Sequence, residues 1–263
     1  MIRTEVKDGV KKIVISNPRR KNAITPDDAK KISSEIFNSI SDENVDVIVI
    51  TGEEDFFCSG LDLSQSQEDL SRDDIQDIFE WHVEEFASII RALIENPKFV
   101  LGRINGPAAG FGAEMIYWFD YKIAVKSAYF SELFTKRGLV PDGGGIIYLS
   151  QRLGISKTLE KIAFAEKITA EYALQYGIIN EIVEDQKQLD ERVSKIIEKI
   201  KNSPPGSLSK IKMMTYSQYI PVIENHIRWL RVIQAKQVLS EEFFEGISAF
   251  LSKREPKFKK IKF

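Results

Sequence analysis

Two stretches of this sequence pair small residues with free backbone amides, the combination that an oxygen acquiring negative charge requires. The first, residues 56–63, reads Phe-Phe-Cys-Ser-Gly-Leu-Asp-Leu, and Gly60 lets the main chain turn and present its N–H groups. The second, residues 105–114, reads Asn-Gly-Pro-Ala-Ala-Gly-Phe-Gly-Ala-Glu. There, small residues and glycines open a helix whose first N–H groups have no partner inside it. Two carboxyl groups stand nearby in sequence to move a proton. Glu114 falls in the first turn of that helix, and Asp142 lies in the loop Val140-Pro141-Asp142-Gly143. A carboxylate does such work best when partly desolvated, so that its pKa approaches neutrality. Each also has a plain structural reading: an acid favoured by a helix dipole for Glu114, and a common Pro-Asp-Gly turn for Asp142.

The elements that must carry these residues follow from periodicity. A strand is expected over residues 12–16, then a helix opened by Thr25-Pro26-Asp27-Asp28, a cap, a first-turn proline and two dipole-complementing acids. Ala29, Ile32, Ile36, Phe37 and Ile40 give that helix one apolar face. The β-branched run at 45–51 reads as a buried strand that delivers the chain into the first amide-bearing stretch. A long helix follows, with Ile75, Ile78, Phe79, His82, Phe86, Ile89, Ile90 and Leu93 as its buried stripe and Pro97 beyond its end. Strands at 99–104 and 121–125 bracket the Gly-rich helix. Thr169 caps a short helix ending at Gly177, and 178–183 gives a further strand. Alternating strands and helices predict an α/β fold with a mostly parallel sheet. From Leu189 the apolar spacing is helical, so the chain divides into an α/β core over 1–195 and a helical region over 196–263.

Composition narrows the classes. Of 263 residues, 43% are hydrophobic and 29% charged, which suits one packed globular unit rather than a disordered chain. Lys and Arg total 37 against 39 Asp and Glu, so there is no global positive field of the kind nucleic-acid binding draws on. The basic stretch 253–262 reads as a solvated tail. The single cysteine, Cys58, cannot form an intramolecular disulfide, and Phe56 and Phe57 before it suggest a buried thiol without chemistry. His82 and His226 sit among helical apolar residues and read as structural. No uncharged run approaches the ~20 residues of a membrane span, and residues 1–10 carry charges throughout, so the expected location is cytoplasmic. No metal or redox cofactor is implied.

The ordered set of motifs resembles the enoyl-CoA hydratase/isomerase, or crotonase, family over nearly the whole chain. The matching stretches are Asn22-Ala23, SGLDL at 59–63, INGPAAGFGAE at 104–114, GLVPDGGG at 138–145, TAEYALQYGIINEIV from Thr169 and AFLSKR from Ala249. The resemblance implies a spiral of ββα units with a C-terminal helical trimerisation region, assembled as a homotrimer or a dimer of trimers. It implies an acyl-coenzyme A thioester substrate, with coenzyme A part of the substrate and no separate cofactor. The thioester oxygen would be held by the Leu61 and Phe111 N–H groups, donors worth roughly 3–4 kcal/mol each to a developing oxyanion. Catalysis is expected from Glu114 and Asp142. Coenzyme A contacts are expected from Lys21, Asn22, Ala23, Asp62 and Leu63 beside Arg19 and Arg20, with Phe250 and Lys253 reaching a neighbouring subunit's nucleotide.

One departure bears on the reaction. Where family hydratases place a second glutamate this sequence has Phe134, which can neither orient water nor move a proton, and Glu132 stands two residues away. Isomerisation of a 3-enoyl to a 2-enoyl thioester needs only a proton removed at one carbon and returned at another, and is therefore placed ahead of hydration by Glu114 and Asp142. A different class of reading is a non-catalytic acyl-CoA or RNA-binding protein.

Overall fold

The computed structural model describes residues 1–63 and 74–259. Its main sheet has the order β1-β2-β3-β4-β6-β9. The strands are β1 (Ile2–Lys7), β2 (Val10–Ile15), β3 (Val47–Gly52), β4 (Phe99–Ile104), β6 (Tyr121–Val125) and β9 (Glu181–Val183). Among the described residues of this sheet only β1–β2 is antiparallel, a hairpin turned at Asp8-Gly9; its other pairings are parallel. The registers stack like residues, Ile13 beside Ile50 and Leu101 beside Tyr121. Every residue of β3 is buried, as its unbroken apolar run predicts. A second, three-stranded sheet joins β5 (Ala108–Ala109), β7 (Tyr129–Ser131) and β8 (Ile168–Thr169) in the order β5-β7-β8.

Helix α1 (Pro26–Asn38) begins with the predicted cap: Thr25 accepts from the Asp28 N–H while the Asp28 carboxylate accepts from the Thr25 N–H. Ala29, Ile32 and Ile36 are buried, whereas Phe37 and Ile40 remain exposed, because Ile40 lies beyond the helix and Phe37 falls on its outer edge. Helix α2 (Ile75–Glu95) packs along α1 and buries Phe79, Phe86, Ile89, Ile90 and Leu93. Helices α3 (Phe111–Tyr117), α4 (Gly145–Leu153), α5 (Ile155–Ala163) and α6 (Ala170–Gln175) follow. Helix α7 (Gln186–Lys201) runs through position 195, and α8 (Pro205–Ser217), α9 (Ile220–Gln237) and α10 (Glu241–Leu251) complete the chain.

The last helices close onto the core. A buried ion pair, Lys212 to Asp120 at 2.7 Å, ties α8 to the turn before β6. A second apolar cluster, containing Ile75, Phe79, Phe134, Leu139, Val238, Phe243 and Ile247, joins α2, α10 and the loop before α4. Of the basic stretch 253–262, residues 260–262 lie outside the described residues. No helix among the described residues is long and apolar enough to cross a membrane.

Candidate active site

The two amide-bearing stretches meet through their glycines. Gly60 has φ 86°, and a Cβ there would lie 2.9 Å from the Ala109 carbonyl oxygen and 3.2 Å from the Phe111 nitrogen. Gly110 has φ 53°, which glycine adopts without strain, and its N–H donates to the Ser131 carbonyl at 2.8 Å. Gly112 packs so tightly that a Cβ would sit 2.4 Å from the Cys58 carbonyl oxygen. On either side, Ala109 N–H donates to Cys58, Ile24 N–H to Gly60, and Asp62 N–H to Ile24, each at 2.9 Å. The Leu61 and Phe111 N–H groups are thereby brought to one place, and among the described residues neither has an acceptor.

Two asparagines hold the strand-to-loop turn beneath them. Asn22, fully buried, donates to the Glu53 and Phe56 carbonyls at 2.8 and 2.7 Å and accepts from the Asn17 N–H. Asn105 donates to the Glu54 and Phe56 carbonyls and accepts from the Gly52 N–H at 3.0 Å. Both side chains thus substitute for a missing sheet partner where β3 ends. Lys21 adopts φ 54° with its ammonium 4.9 Å from the centre of the Phe56 ring. Arg20 pairs with Asp62 at 3.0 Å, Ala23 is buried, and Leu63 packs on the second apolar cluster. The residues from Lys21 to Ala23 and those from Leu61 to Leu63 therefore share one side of the site. Phe250 and Lys253 stand on or just after α10, where the Arg137 guanidinium lies 4.2 Å from the Phe250 ring centre.

Glu114 and Asp142 are brought together. Glu114 is 0% exposed, and its carboxylate accepts the N–H groups of Asp142 at 2.9 Å, Gly143, and Gly145 at 2.6 Å. Gly145 is the first residue of α4, so the carboxylate also lies at a helix N-terminus. Burial raises the Glu114 pKa to about 7, against the opposing pull of those three amides. Burial also raises the Asp142 carboxyl well above the ordinary range, reinforced by the Glu114 charge and a hydrogen bond between the two side chains. Asp142 Oδ1 is buried without a hydrogen-bond partner. The amides favour the charge on Glu114, so at neutral pH the pair reads as a Glu114 carboxylate beside an Asp142 acid.

Sequence reasoning passed over the residues that fix this loop. Trp118 donates its indole N–H to the Gly143 carbonyl at 2.7 Å, and buried Gln234 of α9 both accepts from and donates to the Val140 backbone. Trp118 stands four residues beyond Glu114, a helical spacing that carried the signal; nothing in the local sequence marks Gln234. Phe134 is buried, with a ring atom 3.9 Å from where a Cβ on Gly110 would stand, so an apolar wall borders the amide pair. Glu132, two residues from Phe134 in sequence, is 1% exposed and accepts the Tyr117 hydroxyl at 2.8 Å. Burial pushes the Cys58 thiol up to about 12, which leaves it un-ionised at neutral pH.

Known proteins resemble the chain in sequence and in fold. Residues 5–261 match the enoyl-CoA hydratase/isomerase family. The chain belongs to this family. A probable enoyl-CoA hydratase from Rhodobacter capsulatus is 30% identical over 258 residues, 98% of this chain and 97% of that one. The 1,2-epoxyphenylacetyl-CoA isomerase of Escherichia coli is 29% identical over the same shares. The crystal structure of an enoyl-CoA hydratase from Mycobacterium avium subsp. paratuberculosis superposes with a TM-score of 0.87 and covers 98% of each chain at 24% identity, a likeness of fold. The architecture described above is the crotonase fold, and the chain is an enzyme of the enoyl-CoA hydratase/isomerase family.

Proposed function

We propose that this enzyme shifts the double bond of an acyl-CoA thioester from the 3,4 to the 2,3 position. The observation that carries the reading is the Glu114 carboxylate, held by three loop amides against the Asp142 acid, with apolar Phe134 beside the amide pair. The thioester oxygen binds the Leu61 and Phe111 N–H groups. Glu114 takes a proton from C2, the electron pair moves into the C2–C1 bond, and the negative charge arrives on that oxygen, where fixed donors stabilise it. Asp142 gives its proton to C4 as the dienolate collapses to the conjugated thioester. The protonated Glu114 and ionised Asp142 then exchange a proton across their shared hydrogen bond, which restores the starting state. In the same reading Arg19, Arg20 and Lys21 meet the coenzyme A phosphates, Phe250 and Lys253 reach a neighbouring chain's nucleotide, and the chains assemble as a trimer or a dimer of trimers.

Hydration of a 2-enoyl thioester is the second reading, favoured by the Rhodobacter relative's name and by a second carboxyl group, Asp142, beside Glu114. Incubation with 3-enoyl-CoA and, separately, 2-enoyl-CoA distinguishes them by product mass. Mass-neutral conversion of the 3-enoyl substrate supports isomerisation, and a gain of one water from the 2-enoyl substrate supports hydration. Glu114→Gln and Asp142→Asn are each expected to lower kcat by about 10²-fold or more. If neither substrate reacts while acyl-CoA still binds, the protein is a thioester-binding module.

A further inference from the structure

Glu132 is a buried acid that the reaction just described does not use. It follows directly on β7, the strand whose Ser131 carbonyl anchors Gly110. Its Oε1 accepts the Tyr117 hydroxyl at 2.8 Å, while its Oε2 is buried with no partner. Tyr117 stands three residues after Glu114 on α3, so the two side chains share a helix face, and the residue that pins Glu132 is built onto the helix that carries the base. Among the described residues, the titratable groups that act on Glu132 come from two elements. From α3 come Tyr117 and Glu114, and from the loop before α4 comes Asp142. Tyr148 of α4 stacks on Tyr117 at 5.2 Å. The cation at the head of β6, Lys122, donates to the Tyr117 carbonyl and the Tyr148 hydroxyl, and Glu132 has no ion-pair partner among the described residues. No group of three or more described His, Cys, Asp and Glu side chains has the arrangement of a metal site, so the three acids are not a cation cage.

We propose that Glu132 is a third member of the acid–base site, a positioning residue that works as an uncharged carboxylic acid and silences the Glu114–Asp142 pair when it ionises. Burial, then the charge on Glu114, hold its proton on well above the ordinary carboxylate range, and the Tyr117 hydroxyl opposes them only in part. Buried Oε2, with no donor to stabilise a charge on it, is where that proton belongs. Once ionised, Glu132 adds a second negative charge where water is scarce. That charge makes Asp142 harder to deprotonate and repels the dienolate forming nearby.

The proposal rests on the isomerase reading for its kinetic test and not for its spectroscopic one. In pH–rate profiles with 3-enoyl-CoA, the wild type is expected to lose activity on the alkaline side. Glu132→Gln keeps the carbonyl that accepts from Tyr117 and supplies a permanently uncharged donor. It should keep the acid limb and leave only the single-proton alkaline fall that Asp142 itself produces, where the wild type falls more steeply. Glu132→Ala should lose about tenfold in kcat. An alkaline limb unchanged in Glu132→Gln overturns the proposal, as does a wild-type profile with no alkaline fall. Independently, the infrared difference spectrum of wild type minus Glu132→Gln at neutral pH should contain a protonated-carboxyl C=O band that disappears at high pH. An ionised-carboxylate band in its place overturns the proposal whatever the substrate. Absence of wild-type turnover with a protonated band present would instead reject the isomerase reading and leave Glu132 as assigned.

Discussion

Glu114 is caught between opposing forces: burial at 0% exposure favours its neutral form, and three aimed amides favour its charge. The net result, near pH 7, is where a general base gains most from having its proton removable under working conditions. Since the base acts ionised, kcat/KM for the 3-enoyl substrate should rise with pH through about 7, and a profile flat from pH 5 to 9 would contradict this assignment. Stability runs the other way. Glu114, Asp142 and Glu132 all have folded pKa values raised above the ordinary ones, so their contribution is fully present below the usual carboxylate range and is lost as pH climbs toward the folded values. Replacing Glu132 with Gln removes one such loss. The Tm of Glu132→Gln should match wild type near pH 4 and exceed it by roughly 2–4 °C at pH 8, because each ~1 kcal/mol moves Tm by that amount in a chain of this size. Thermal melts across that range check it, and a variant less stable at pH 8 than at pH 4 relative to wild type would reject it.

At the scale of elements, the site is a matter of how closely helices and loops approach. A Cβ on Gly145 would fall 2.3 Å from Glu114 Oε1, so Gly145→Ala must push the carboxylate out of its three amides. The variant is expected to fold, since Gly145 has an ordinary helical start and negative φ, yet to lose about 10²-fold in kcat through misplacement of the base. Steady-state kinetics with circular dichroism tests both halves. Loop packing could be read from sequence only where residue type forces it. Gly60 and Gly110 were legible as glycines in the amide-bearing stretches: both take positive φ, and at Gly60 a Cβ would also crowd the Ala109 carbonyl. Strand β3 was legible as a buried β-branched run, and β4 and β6 by their places on either side of the Gly-rich helix. The two-residue strands β5 and β8 were not, because they are too short to show any period. Glu132 shows in sequence only as an acid two residues from Phe134: β7 ends at Ser131 and a turn at Thr135–Arg137 follows, so no strand period reaches it.

At the scale of the whole molecule, the C-terminal helices act on the site through Gln234, whose amide grips Val140 two residues before Asp142. What the single chain does not satisfy is its outer surface. Helix α5 turns Thr158 and Ile162 inward, yet Ile155 is 73% and Leu159 61% exposed at the edge of the same apolar stripe, and Phe164 just past its end is 71% exposed. Three large apolar side chains left exposed along one helix and its end suit a surface that another chain covers. The proposed trimer supplies a cover of the same chemistry, since symmetric copies present the same patch to one another or to a complementary one. Sedimentation of the wild type is expected to give three or six chains. Placing charge on the patch with Leu159→Glu and Phe164→Glu together should shift that mass to the monomer, because burying two unpaired carboxylates costs several kcal/mol per contact. The double variant should keep its far-ultraviolet circular dichroism, as both positions are solvent-exposed within the chain. A wild type that sediments as one chain, or a double variant that still assembles, would mean that another surface holds the molecules together.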